Sequence, residues 1–439
     1  MRNFIKEIKE GVLVYDGSKG TMLHKYGMQG GECPELWNVT HRDEVRKIYE
    51  AYKEAGADVI QTNTFQGSRM KLEEYSLGDR VYELNFEGTK LAKEVMGDKG
   101  FVAASIGPLG KLFEPSGELT FNAAHEAFKE QVKAVVEGGA DIVNFETFTD
   151  LSEMRAALLA ARDVTDIPVI CSIAFESNGK TLMGTDPYIA ALVLKSLGAD
   201  MIGTNCSFGP LHLLEIVKKM HEVGGIYICA KPNAGLPQLV DGKAVYNEPV
   251  DKFAALAPEF VKYGVRLLGG CCGTTPEYIK AVRSGMENCE VPRVKSRSLQ
   301  AITSGVKLLN IEASKGLNLG RLDAEKDQEL VDELSKGNME FIVDKAMDLS
   351  CERYDAIYVN IDKVGGNDML LADVVNAAQG YIREPFIIET KDSRALSNVL
   401  RLYRGKAGVV VDGYEHNIME ELLEAAKRFG STVISRDMI

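Results

Sequence analysis

The sequence has little with which to hold a polyanion or enter a membrane. Lysine and arginine number 51 against 64 acidic residues, and the formal net charge of −13 disfavours nucleic acid and anionic lipid surfaces as partners. No apolar run reaches the length of a bilayer span. The opening segment, Met1 to Glu10, is charged and lacks the apolar core of a signal peptide, so a cytoplasmic location is expected. A disulfide framework is not expected either. The eight cysteines are spread over 439 residues, and in a cytoplasmic chain they read as thiols or metal ligands.

What is present is a repeated alternation. Eight apolar, β-branched runs (11–17, 58–65, 101–108, 141–148, 168–175, 201–207, 226–235 and 267–273) alternate with amphipathic stretches such as 42–55, 122–138 and 211–223. Several of these stretches end in Gly-Ala-Asp before the next run: Gly56-Ala57-Asp58, Gly139-Ala140-Asp141 and Gly198-Ala199-Asp200. Glycine closing a helix ahead of a buried strand is what parallel β/α units require. Eight units in about 280 residues predict a (β/α)8 TIM barrel, with its active site at the C-terminal ends of the strands. The expected organisation is this barrel over 1–290, a linker over 291–305 and a smaller α/β domain over 306–439. The last segment holds five apolar runs (306–311, 356–361, 386–389, 407–412 and 432–434), too few for a second closed barrel.

Polar residues gather at the predicted strand ends, and the cysteines stand out among them. Cys271 and Cys272 are adjacent between glycines, and Cys206 follows another apolar run. Neighbouring cysteines seldom pair with each other, but both can ligate one ion, with flanking glycines allowing the turn. Strands six and eight of a barrel are near neighbours, so the three sulfurs are expected to converge on one rim. Three thiolates leave a zinc ion one open position, the pattern of a catalytic site, whereas structural sites usually have four protein ligands. A fourth thiolate bound there would stay nucleophilic at neutral pH, which suits alkyl transfer to a thiol. The alternatives are a structural zinc site and ordinary buried thiols. Asp16 and Glu146 could grip the ammonium group of an amino-acid thiol, and the amides of Gly17 and Ser18 its carboxylate. Loop capping is the competing role. Asn63, Asn205 and Asn233 fall on the same rim as substrate contacts or as turn formers. Trp37 is either core or lid.

These motifs carry a resemblance. Asp16-Gly17-Ser18-Lys19-Gly20-Thr21-Met22-Leu23, Gln61-Thr62-Asn63-Thr64-Phe65, Glu146-Thr147, Gly203-Thr204-Asn205-Cys206, Lys231-Pro232-Asn233-Ala234-Gly235 and Gly269-Gly270-Cys271-Cys272-Gly273 resemble the zinc-dependent homocysteine S-methyltransferase domain, in order, over about residues 1–290. The resemblance implies zinc on Cys206, Cys271 and Cys272, with the homocysteine thiolate as fourth ligand. It also implies that Asp16 and Glu146 bind the substrate amino group. Gln61 stands where that family often has Glu.

Within the family the chain looks most like the N-terminal half of cobalamin-dependent methionine synthase, where a second, pterin-binding barrel takes methyltetrahydrofolate. Residues 306–439 are similar to a shortened version of that barrel, resembling half of it. Here Leu309-Asn310-Ile311-Glu312-Ala313 replaces a Glu-Arg-Ile-Asn-Pro pattern, Tyr358-Val359-Asn360 replaces Asp-Val-Asn, and Ile388-Glu389-Thr390 replaces Ile-Asp-Ser. These departures count against methyltetrahydrofolate. No base-off cobalamin signature, Asp-x-His-x-x-Gly, is present: Met22 and Lys219 precede His24 and His221 where Asp is needed. The donor the resemblance implies is methylcobalamin, here expected on a separate corrinoid protein. The alternatives are a small donor such as S-methylmethionine or betaine, and a non-catalytic barrel that binds zinc or a thiol.

Overall fold

The computed structural model describes residues 2–439 except 115–116, 241–242, 288, 298 and 313–315, together with all side chains of those residues but 240, 243 and 244. Ala313, the last residue of the first pterin-like segment, lies outside the described residues, as does Ser298 of the expected linker. The chain forms two compact units, Met1–Met183 with Ala199–Arg297, and Gly184–Gly198 with Ser298–Ile439.

Each of the eight expected runs contributes a strand to one parallel sheet: β1 (Leu13–Val14), β2 (Val59–Gln61), β3 (Phe101–Ile106), β4 (Ile142–Phe148), β5 (Val169–Ile173), β6 (Met201–Asn205), β7 (Tyr227–Lys231) and β8 (Val265–Leu268). The hydrogen-bonded order is β1-β8-β7-β6-β5-β4-β3-β2. A parallel bridge between Tyr15 and Val59 joins its two ends, so the sheet closes into the expected barrel. The eighth strand begins earlier than its apolar run, and the Gly-Gly-Cys-Cys segment is all loop.

Side chains alternate across a strand, so every second residue points into the barrel. The lower interior is apolar: Leu13, Tyr15, Val59, Phe101, Ala103, Ile142, Ile170, Met201, Cys229 and Leu267 form one buried cluster. A helix at Phe4–Glu10 plugs the bottom, its Phe4 and Ile8 joining that cluster one turn apart. Continuing the same alternation upward brings Gln61, Ser105, Asn144, Glu146 and Lys231 to the inside, all buried. The period that packs the bottom thus delivers polar groups to the mouth.

The Gly-Ala-Asp repeats fix the strand starts. Asp58, Asp141 and Asp200 each accept the amide of the first or second residue of a neighbouring strand, Val14, Val102 and Val169, at 2.8 Å. A basic side chain holds each carboxylate from the other side: Arg283 on Asp58, Lys93 on Asp141 at 2.7 Å and Arg162 on Asp200 at 2.5 Å. The glycines sit at φ of +94°, +98° and +94°, where a side chain would be strained. Residues 249–263 form two helices, Val250–Ala255 and Ala257–Lys262, the second with Pro258 in its first turn. Trp37 belongs to the core, buried in a cluster with Met22, Leu23 and Tyr49 and donating to Glu32 at 2.9 Å.

The second unit carries a five-stranded parallel sheet whose strands run in chain order. They are β9 (Leu319–Asp323), β10 (Ala356–Asn360), β11 (Phe386–Glu389), β12 (Gly408–Val410) and β13 (Thr432–Ile434). This corrects the first expected strand. Leu308–Asn310, within 306–311, pairs antiparallel with Ala301–Thr303 instead, and the sheet opens with 319–323. Gly320 and Arg321 hide that strand in the sequence. A Cβ at Gly320 would lie 2.7 Å from Ile357 and 3.1 Å from Leu349, so glycine admits close packing there. The Arg321 guanidinium lies over the Tyr358 ring at 4.8 Å. Among the described residues no helix is long and apolar enough to cross a membrane.

Candidate metal and thiol site

Strand ends β6 and β8 bring Cys206, Cys271 and Cys272 together. Their sulfurs all lie within 4.8 Å of one another, and Cys206 and Cys272 are 3.9 Å apart. The loops are tied to the neighbouring strand: the Cys206 amide donates to Lys231 O at 3.1 Å and the Cys271 amide to Pro232 O at 2.8 Å. Three of the four non-glycine residues with positive φ among the described residues sit here, Thr147 at +66°, Cys206 at +63° and Ser207 at +60°. Left-handed backbone at such residues costs energy and persists only where neighbours hold it. Asn205 supplies that hold for Thr147, accepting its amide at 2.9 Å and donating to its hydroxyl at 2.8 Å.

Two asparagines face the sulfurs. Asn205 Nδ2 lies 3.7 Å from Cys271 Sγ, and Asn233 Nδ2 lies 3.8 Å from Cys206 Sγ. Asn233 also accepts the Cys272 amide at 3.0 Å. Crowding has a consequence for the protons. The hydrogen bond with Cys206, and burial behind it, push the Cys271 thiol up to about 12. A set of three thiols this close is one that a divalent cation would deprotonate and hold, since metal ligation and proton release are coupled.

Below the sulfurs lies a layer of buried ion pairs. Lys231 reaches across the barrel to Glu146, donates to Gln61 Oε1 at 2.7 Å, and sits 4.6 Å from the centre of the Tyr15 ring. Burial works against this ammonium, but Glu146 and then Cys271 outweigh it and hold its pKa above the usual lysine range. Ser105 donates to the other oxygen of Glu146. Asp16 is paired in the same way with buried Lys19 and accepts the Gln61 amide at 2.9 Å. Its Oδ1 is buried with no hydrogen-bond partner. Burial pushes the Asp16 carboxyl up to about 6 in spite of Lys19.

A cleft of about 330 Å³ opens over these groups, with Ser18, Asn63, Gln61, Glu146, Thr147 and the three cysteines in its wall. Of the substrate contacts read from the sequence, Ser18, Asn63 and Glu146 line it. Asp16 lies just behind it, fully buried. The Ser18 amide is already given to Thr274 O at 3.0 Å and its hydroxyl caps the next helix through the Thr21 amide. Gly17 is pressed against Thr274, where a Cβ would come within 2.8 Å. The Asn63 amide donates to Pro34 O at 2.7 Å and Asn38 Oδ1 at 3.0 Å. Sequence reasoning left Lys19, Lys231, Gln61, Ser105 and Thr147 out of the site. The signal for three of them was strand alternation itself: Gln61, Ser105 and Lys231 each lie two residues above an apolar inward residue, Val59, Ala103 and Cys229.

A family model described as homocysteine S-methyltransferase matches residues 13–286. The methionine synthase of Mycobacterium leprae (strain TN) is 34% identical over 314 residues, which cover 66% of this chain and 26% of that protein. The methionine synthase of Mycobacterium tuberculosis (strain ATCC 25618 / H37Rv) is 34% identical over 305 residues, 65% of this chain and 25% of that protein. The chain thus spans about a quarter of the length of these relatives. Among solved structures, the metallated homocysteine methyltransferase MmuM from Escherichia coli has a TM-score of 0.54 at 21% identity, covering 63% of this chain and 96% of that one. Its oxidized form has a TM-score of 0.55 at 21% identity, covering 64% and 99%. At that identity the likeness concerns the fold.

Proposed function

Because this chain belongs to the homocysteine S-methyltransferase family, we propose that it transfers a methyl group to the thiol of homocysteine, giving methionine, at a zinc ion held by Cys206, Cys271 and Cys272. The observation that carries this reading is the three sulfurs within 4.8 Å at the barrel mouth, opening on one cleft. Zinc bound there would supply one open position at which a substrate thiol loses its proton yet remains a nucleophile.

The chain's own residues select and orient the substrate. Glu146 faces the cleft and accepts its ammonium, and Asp16, with one oxygen unpartnered, adds negative charge behind it. Asn63, Asn205 and Asn233 shape the rim, and Ser18 lines the same cleft as Glu146. Lys231 holds Glu146 in place through the buried ion pair. In the transfer the substrate sulfur forms a bond to the methyl carbon, the donor keeps the electron pair of the bond that breaks, and the thiol proton leaves to solvent.

The donor in this reading is methylcobalamin on a separate corrinoid protein. Methyltetrahydrofolate does not fit the second unit. Glu389, which stands at the end of β11 where the pterin-binding pattern has Asp, is already engaged by Tyr358 at 2.7 Å, Tyr414 at 3.2 Å and Arg436 at 2.5 Å. That saturation supports a second unit, residues 306–439 after a 291–305 connection, that docks the corrinoid protein without a ligand of its own. The test is methionine formation from homocysteine with methylcobalamin, S-methylmethionine or betaine as donor, with and without chelator. Turnover with methylcobalamin that stops with chelator or in Cys272→Ala supports the reading. Activity surviving Cys272→Ala sinks it, and turnover with a small donor alone replaces the corrinoid.

A further inference from the structure

Among the described residues the cleft wall carries one cationic side chain, Lys19, alongside the carboxylates of Glu35 and Glu146 and the three cysteines. A free amino-acid thiol brings three groups to such a cleft: a sulfur, an ammonium and a carboxylate. The sulfur belongs at the cysteines and the ammonium at Glu146, which leaves the carboxylate without an anchor. The Ser18 amide, expected from the sequence to hold it, is spent on Thr274 O at 3.0 Å. The Asn63 side-chain amide is spent as well, on Pro34 O at 2.7 Å and Asn38 Oδ1 at 3.0 Å.

Lys19 has donors to spare. An ammonium carries three N–H groups, and among the described residues Asp16 is the one hydrogen-bond acceptor of Lys19. Its nitrogen lies 4.6 Å from the centre of the Tyr52 ring and 5.6 Å from that of Tyr49, within the range at which an aromatic face attracts a cation. Both rings are pinned. The Tyr52 hydroxyl is 2.9 Å from Ser18 O and from Thr274 O, and the Tyr49 hydroxyl accepts the Asn63 backbone amide at 2.8 Å. The charge therefore has a fixed place in the wall. A carboxylate reaching it would gain a charge-assisted hydrogen bond, the stronger kind. Resting on the function proposed above, we propose that Lys19 binds the carboxylate of the amino-acid substrate while keeping its bond to Asp16, and so lets the site tell a free amino acid from a thiol that lacks the carboxylate.

The experiment measures binding of three thiols to the full, zinc-loaded chain by titration calorimetry, with metal content and circular dichroism checked first. The thiols are homocysteine, aminopropanethiol, which lacks the carboxylate, and mercaptobutanoate, which lacks the ammonium. Lys19→Met is expected to weaken homocysteine and mercaptobutanoate about 10- to 100-fold, the range for a lost hydrogen bond to a charged group, without weakening aminopropanethiol. Lys19→Arg, which keeps a cation there, should retain the preference for homocysteine over aminopropanethiol. An equal loss on all three thiols, or a loss confined to the two that carry an ammonium, makes Lys19 only the partner of Asp16 and overturns the inference. Should Lys19→Met fail to fold because it strands Asp16, adding Asp16→Asn removes both charges. The ratio of homocysteine to aminopropanethiol affinity then decides in the same way, since both carry the ammonium. Homocysteine that does not bind the zinc-loaded parent chain sinks the proposed function and this inference together. Homocysteine that binds the parent chain with a ratio unchanged in Lys19→Met sinks the inference alone.

Discussion

Lys231 and Glu146, 85 residues apart in the chain, meet inside the barrel mouth with side chains only 1% and 4% exposed. A charge so enclosed is tolerated because its partner and hydrogen bonds are in place. Gln61, Ser105 and the Tyr15 ring complete the set. Removing one member leaves the other buried and unpaired.

Lys231→Met is therefore expected to destabilise the protein by about 3–5 kcal/mol, read from denaturant unfolding. Adding Glu146→Gln should recover a large part of that loss, because it removes the stranded charge. Equal stability of the single and double variants would show that the pair contributes only packing.

Asp16 predicts a pH dependence. Its carboxyl titrates near 6 in the folded chain, raised by burial, against 3.8 for the free group. The folded state thus binds this proton more tightly than the unfolded state. The stability it contributes is fully present below pH of about 4 and is lost as pH rises through about 6. Substrate binding should move the other way, since only the ionised carboxylate attracts an ammonium. The KM for homocysteine should rise as pH falls through about 6, and Asp16→Asn should flatten both profiles. A KM profile that keeps its inflection in Asp16→Asn would assign it to another group.

Asn205 holds both the strained Thr147 and the Cys271 sulfur. Asn205→Ala should weaken zinc binding about 10- to 100-fold, the range for residues that orient metal ligands. Competition with a chelator of known affinity measures it. Stripping zinc from the parent chain should abolish methyl transfer, and restoring zinc should return it.

Gly203 and Ser172 face each other across β5 and β6. A Cβ at Gly203 would lie 2.3 Å from Ser172 Oγ, and that hydroxyl has no hydrogen-bond partner. Gly203→Ala should cost about 1–3 kcal/mol by overpacking. Ser172→Ala should cost little, because no bond is lost. In combination the two should couple, with the Gly203→Ala penalty reduced in the Ser172→Ala background. Simple additivity would place the strain elsewhere, against Cys229 O at 2.8 Å.

Much of this was legible in the chain because the period of a strand and the period of a helix are local properties. The eight barrel strands, the Gly-Ala-Asp turns and the two cysteine loops announce themselves through hydrophobic spacing and glycine placement. The strand at Leu319–Asp323 did not, because Gly320 and Arg321 interrupt its apolar pattern for the sake of contacts with Ile357 and Tyr358. Glu146 was legible as a carboxylate at a strand end, but its pairing with Lys231 was not.

The sequence by itself determined that a β/α barrel would form and that three cysteines would stand at its mouth, since alternation decides which side chains face inward and chain order decides which strands are neighbours. Only the tertiary structure decided which charges neutralise each other and which donor meets which sulfur. Lys231 reaches Gln61 across 170 residues and Glu146 across 85, and the Tyr246 ring lies against Gly273 from a neighbouring loop. Such pairings depend on how the barrel closes and how long each side chain reaches, and neither is written in the spacing of any one segment.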